Sequence, residues 1–195
     1  MPVLPRSGLR ADGFLGLDVV DRQTVTLRFP EPPPHRRAFG PRRSVALFLR
    51  PGAGSGQRLP WPPHAVNCGV NGVRASAFID SGAEISIGNS HLFEALAKGG
   101  SRYIGDDVIQ LLGVTGGAVQ GRVTAVERIK LGSIAFSNSV LVIADLPVFD
   151  IWGLADKPAL FIGMNFLRQT SAVTIDYGRK EFRFKLAQLR IASRA

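Results

Sequence analysis

The sequence predicts a mainly β fold with one or two short helices, and three observations carry that prediction. The 195 residues include 22 glycines and 13 prolines, a usage that suits short strands joined by turns. Val73, Ala75, Ala77 and Ile79 alternate with Arg74, Ser76 and Phe78, which is the two-residue period of a strand. Asn71-Gly72 lies between two apolar runs. Both residues tolerate positive φ, so a tight hairpin is expected there.

The remaining elements follow in order. Ile85 and Ile87 alternate with Glu84 and Ser86, predicting a second short strand. Residues His91 to Lys98 form the one convincing helix, with Ser90 able to cap its start and Gly99-Gly100 to end it. From Asp107 to Val126 the chain is apolar around a glycine-rich centre, Gly113-Val114-Thr115-Gly116-Gly117. This reads as a long hairpin with a mobile tip. Strands are expected near Val126 to Leu131 and Ser139 to Ala144, with a turn at Gly132-Ser133. Asp150 to Pro158 reads as a loop, and Phe161 to Leu167 as a strand entering a short helix. Val173 to Tyr177 and Glu181 to Leu186 form a final hairpin around Gly178.

Residues 31–63 differ from the rest. Prolines and a Gly-Ser stretch make them a linker with room for one short strand at Val45 to Leu49. An internal repeat flanks this linker. Phe14-Leu15-Gly16-Leu17 parallels Phe161-Ile162-Gly163-Met164, and Val25-Thr26-Leu27-Arg28-Phe29 parallels Val173-Thr174-Ile175-Asp176-Tyr177. Residues 1–30 are therefore read as the C-terminal remnant of a first repeat, 64–187 as the main domain and 188–195 as a tail.

Composition narrows the function classes. Apolar residues make up 45% and charged residues 20%, the balance of a globular domain. The lone Cys68 cannot form an internal disulfide and reads as a buried hydrophobe. His35, His64 and His91 are isolated, so no metal site and no cofactor are expected. The net charge of +9 admits nucleic acid as a partner. The arginine-rich linker has no interleaved aromatic platform beyond Phe39, Phe48 and Trp61, however, and reads as a solvated charge run. No apolar run is long enough to span a membrane. The N-terminus lacks the apolar stretch of a signal peptide. The expectation is a cytoplasmic protein, or an exported one whose natural start lies upstream of Met1.

The chemistry sits in Phe78-Ile79-Asp80-Ser81-Gly82-Ala83. An apolar strand ends in an aspartate, a hydroxyl and a glycine that lets two backbones approach closely. Two carboxylates sharing one site cannot both ionise easily, so one holds a proton while the other activates water. The chain holds one such loop, so a pair of aspartates needs another copy. Alone, the four residues Asp80 to Ala83 also read as an ordinary turn. The apolar run Leu160-Phe161-Ile162-Gly163-Met164-Asn165-Phe166-Leu167 further along adds weight to the catalytic reading.

On these residues, 64–186 resemble a retropepsin-like aspartic protease domain, a closed β-barrel half. Ile79 to Ala83 are similar to its catalytic motif, Gly113 to Gly117 to its flap tip, and Phe161 to Leu167 to its late strand-to-helix motif. The resemblance implies catalysis by Asp80 and an active-site loop of Ser81, Gly82 and Ala83. It implies that Val114, Thr115, Gly116 and Gly117 close over an extended peptide. Phe161 and Ile162 would pack beneath the loop, with Gly163 allowing close approach. A homodimer is implied, or intramolecular pairing with a missing first repeat. In the homodimer, residues 1–30 could add strands to the partner's edge. Met164 stands where retroviral members often place an arginine, so Glu84 lacks that partner, as in bacterial relatives. The competing reading is a non-catalytic dimerisation or peptide-binding module.

Overall fold

The computed structural model describes residues 22–30, 44–48, 66–113, 117–179 and 181–186. The Phe14 to Leu17 part of the repeat, most of the linker, the tail, and Val114, Thr115 and Gly116 lie outside these residues. Eleven strands and three short helices are present among those described.

Six strands close into a barrel. β3 (Val66–Val70) and β4 (Val73–Ile79) form the predicted hairpin, with Asn71 at φ 45° and Gly72 at φ 86°. Both are left-handed, as a two-residue turn matched to strand twist requires. β4 runs parallel to β9 (Ala159–Ile162), and β9 is antiparallel to β5 (Ile87–Gly88). β5 pairs in parallel with β8 (Ile134–Ile143), and β8 is antiparallel to β7 (Ala118–Leu131). β7 then returns to β3 through Cys68 to Val70. Val70, Ile129, Leu131, Ile134, Leu160 and Ile162 are wholly buried inside the barrel. β6 (Tyr103–Leu112) continues outward from β7 as the predicted long hairpin, starting at Tyr103 rather than Asp107.

Several local expectations change. Val126 to Leu131 is the end of the single strand β7, not a separate strand. Only Ile87 and Gly88 of the stretch 84–88 make a strand, because the carbonyls of Ala83 and Glu84 accept hydrogen bonds from Met164 and Asn165 instead. Helix α1 (Ser90–Lys98) is capped by Asn89, not Ser90. Asn89 has extended backbone and accepts the Leu92 N–H at 3.0 Å, while Ser90 is already helical. Helix α2 (Pro147–Ile151) overlaps the start of the segment Asp150 to Pro158 expected to be a loop. Its Phe149 is buried against Phe161, and that packing compensates for a start without a side-chain cap. The strand expected at Phe161 begins at Ala159 and leads into the one-turn helix α3 (Met164–Leu167).

A second sheet of four antiparallel strands lies against the barrel core. The C-terminal hairpin β10 (Ala172–Asp176) and β11 (Glu181–Lys185) forms its centre. β1 (Thr24–Arg28) flanks β10, and β2 (Ser44–Phe48) flanks β11. β2 coincides within a residue with the one strand expected in the linker. Val173, Ile175, Phe182 and Phe184 join the barrel core. In this chain β1 pairs with its own β10, where the homodimer expectation had put residues 1–30 on the partner's edge.

Candidate active site

The loop after β4 is fixed at both ends by β9 and α3. The Asp80 N–H donates to Ile162 O at 3.0 Å, extending the parallel ladder one residue beyond β4. The aspartate backbone is thus set by strand geometry, as the sequence implied. Its side chain is half-buried, and Oδ1 accepts the Gly82 N–H at 2.8 Å. This is the turn an aspartate makes with the amide two residues on. Ser81 and Gly82 are exposed, and Ala83 is half-buried with its N–H 3.4 Å from Asp80 O.

The far side of the loop rests on the late motif. Ala83 O accepts the Met164 N–H at 2.8 Å, and Glu84 O accepts the Asn165 N–H at 3.1 Å. A Cβ built at Gly163 would sit 2.8 Å from Ile85 O, so the absence of a side chain is what lets the two segments touch. Phe161 and Ile162 do not lie together beneath the loop. Adjacent residues of a strand point to opposite faces. Ile162 joins Ile79 in the barrel core. Phe161 meets Phe78, Phe149 and Trp152 outside the barrel, with ring centroids 4.8–5.8 Å apart.

The long hairpin reaches over the same region. Ile109, Leu111 and Val119 pack on the small cluster of Ile87, Val142 and Ala144, and so does Ile85 of the loop. The hairpin and the Asp80 loop thereby share one apolar wall. Of the expected flap residues Gly117 is described: its carbonyl accepts the Gly113 N–H at 2.8 Å and closes the hairpin end. Val114, Thr115 and Gly116 fall outside the described residues.

Three polar residues at the site were not singled out from sequence. Ser86 is wholly buried and bonds Asn165, whose side chain also reaches Val140 O. Asn165 stands within the quoted late motif, and an amide inside an apolar run is the signal that marks it. Arg168, one turn beyond Met164, brings Nη1 to 4.0 Å from Glu84 Oε1. Glu84 therefore finds a cation from a different position than in the retroviral pattern. Both side chains are exposed, so the pair contributes little.

Among the described residues no group of three or more His, Cys, Asp or Glu side chains is placed to hold a metal ion. No helix among them is long and apolar enough to cross a membrane.

No curated protein matches this chain. Among solved structures it is similar to a retropepsin-like aspartic protease from Rickettsia conorii at 15% identity, with a TM-score of 0.47 over 72% of this chain and 89% of that one. The sequence profile described as aspartyl protease matches residues 66–166. That span is more than half the chain and runs from the first barrel strand through the Asp80 loop to the Gly163 motif, so the chain belongs to the aspartyl protease family.

Proposed function

We propose that the protein is an aspartic endopeptidase. Its dyad joins Asp80 to a second aspartate, from another copy of this chain or from a first repeat. The observation that supports this most is the Asp80 loop itself. A half-buried carboxylate is held by the Ile162 ladder bond and the Gly82 amide, beside an apolar wall shared with a long hairpin. An extended peptide entering there would pair through its backbone as an added strand beneath the hairpin.

In the reaction the ionised member of the dyad takes a proton from water as the water oxygen attacks the scissile carbonyl. The protonated member donates to the carbonyl oxygen. Collapse of the tetrahedral intermediate breaks the C–N bond, and a proton passes to the leaving amine. Ser81 and Gly82, exposed at the loop tip, are the residues available to meet a second such loop.

The test is cleavage of a diverse peptide mixture by wild type and Asp80→Asn from acidic to neutral pH, read by mass spectrometry. Cleavage is expected from wild type and not from the variant. If neither protein cuts at concentrations where the protein is dimeric, the reading fails and a peptide-binding or dimerisation module takes its place.

A further inference from the structure

We propose that Asn165 is the positioning residue of the Asp80 loop, acting through Ser86. The proposal rests on the reading of Asp80 as catalytic. The start of the loop is held by backbone alone, through Asp80 and Ile162. Its end is held by the backbone bonds from Met164 and Asn165 to the carbonyls of Ala83 and Glu84, and beyond them by one side-chain amide. Asn165 Oδ1 accepts both the Ser86 N–H at 3.0 Å and the Ser86 hydroxyl at 2.6 Å. The same hydroxyl oxygen accepts the Gly163 N–H at 2.8 Å. Asn165 Nδ2 donates to Val140 O at 3.2 Å, on the strand that pairs through Val140 and Ala125 with the hairpin strand β7.

Three segments therefore meet at this amide: the end of the catalytic loop, the turn after β9, and β8 beneath the hairpin. The arrangement demands an amide. Two bonds are accepted at one oxygen and one is donated from the nitrogen beside it. A carboxylate cannot donate, and a hydroxyl would have to make all three bonds from one oxygen, whereas the amide reaches Ser86 and Val140 with two different atoms. Ser86 is used fully in return, as amide donor, hydroxyl donor and acceptor, and it is wholly buried. Helix α3 cannot set this geometry alone, since it is a single turn without a side-chain cap. Asn89, equally buried, supplies the contrast. Its four bonds go to Leu92, Leu154, Lys157 and Ala159, and none to residues 80–86.

The experiment compares hydrogen exchange and peptide cleavage in the full-length chain for wild type, Asn165→Ala, Ser86→Ala, the double variant and Asn89→Ala. Asn165→Ala is expected to speed exchange about tenfold or more in 80–88 and 162–166, with the 172–185 hairpin unchanged. Its kcat should fall about tenfold to a hundredfold with KM nearly constant, the signature of a displaced catalytic group rather than weakened binding. Ser86→Ala should match it, and the double variant should add little, because the two residues act as one unit. Asn89→Ala should lower stability without selective exchange at 80–86. Unchanged exchange at 80–88 in Asn165→Ala, or a rise shared equally by 172–185, overturns the proposal. Should wild type cleave nothing, the endopeptidase reading fails separately, and the exchange pattern still decides what Asn165 does.

Discussion

A side-chain carbon on Gly163 would stand 2.7 Å from the carbonyl oxygen of Ala83. Real contacts of that kind essentially do not occur, and the obstructing atoms are backbone of Ala83 and Ile85, the Ala83 carbonyl being itself hydrogen-bonded to Met164. Gly163→Ala must therefore push the Asp80 loop off β9. The expected cost is about 1–3 kcal/mol, the range for forcing an extra carbon into a packed interior. Urea unfolding measures it. Peptide cleavage should fall further than stability alone accounts for, because the displaced segment carries Asp80.

Asn89→Ala should destabilise more than loss of a helix cap alone. The cap bond to Leu92 is one of four, and the side chain is wholly buried. Truncation strands the Ala159 amide and two carbonyls as well. Against about 1 kcal/mol for an ordinary cap, about 2–4 kcal/mol is expected. Thermal and urea unfolding check this.

Glu181 gives the second sheet a pH dependence. Arg183 binds both its carboxylate oxygens at 3.0 Å, and this hydrogen bonding holds the carboxyl below its ordinary range despite burial. A depressed folded value means the contribution is complete above the unfolded carboxylate value, about 4.3. It is lost as pH falls through the lower folded one. Glu181→Gln should therefore be less stable than wild type at neutral pH, with the gap closing in acid. A gap that persists unchanged to strongly acidic pH contradicts the ion-pair account.

Cys68 should be chemically silent in the folded protein. Burial pushes its thiol up to about 12, and it is the thiolate that reacts. Alkylation near pH 8 should run roughly a thousandfold slower in native protein than in urea, on the difference in thiolate fraction. Mass spectrometry of iodoacetamide-treated samples reads this directly. Rapid native labelling would place Cys68 outside the core.

What was legible in the sequence was local. Asn71-Gly72 specified its turn because two adjacent positive φ values are a property of those residues, and the turn was found as read. The strand into Asp80 and the strand entering a short helix around Gly163 were legible from the apolar runs that lead into them. Tertiary packing decided the rest. Helix α2 has five residues and no side-chain cap, and it depends on Phe149 meeting Phe161. The choice of Asn89 over Ser90 as cap follows from which one the barrel buries. Ser86 and Asn165 lie 79 residues apart, and nothing in either's neighbourhood announces the other. That Phe161 and Ile162 part to two different clusters was not legible, because β9 is buried on both faces, which erases the alternation that marks inside from outside.

The pairing of β1 with β10 has a consequence for biosynthesis. Thr26 and Thr174, whose hydroxyls meet at 2.9 Å across those strands, are 148 positions apart in the chain. A ribosome releases β1 long before its partner exists, and barrel closure likewise waits for β9. Contacts of such long range slow folding and leave early strands unpaired. The nascent chain thus carries β1 as an open edge until the β10–β11 hairpin has been made and can receive it.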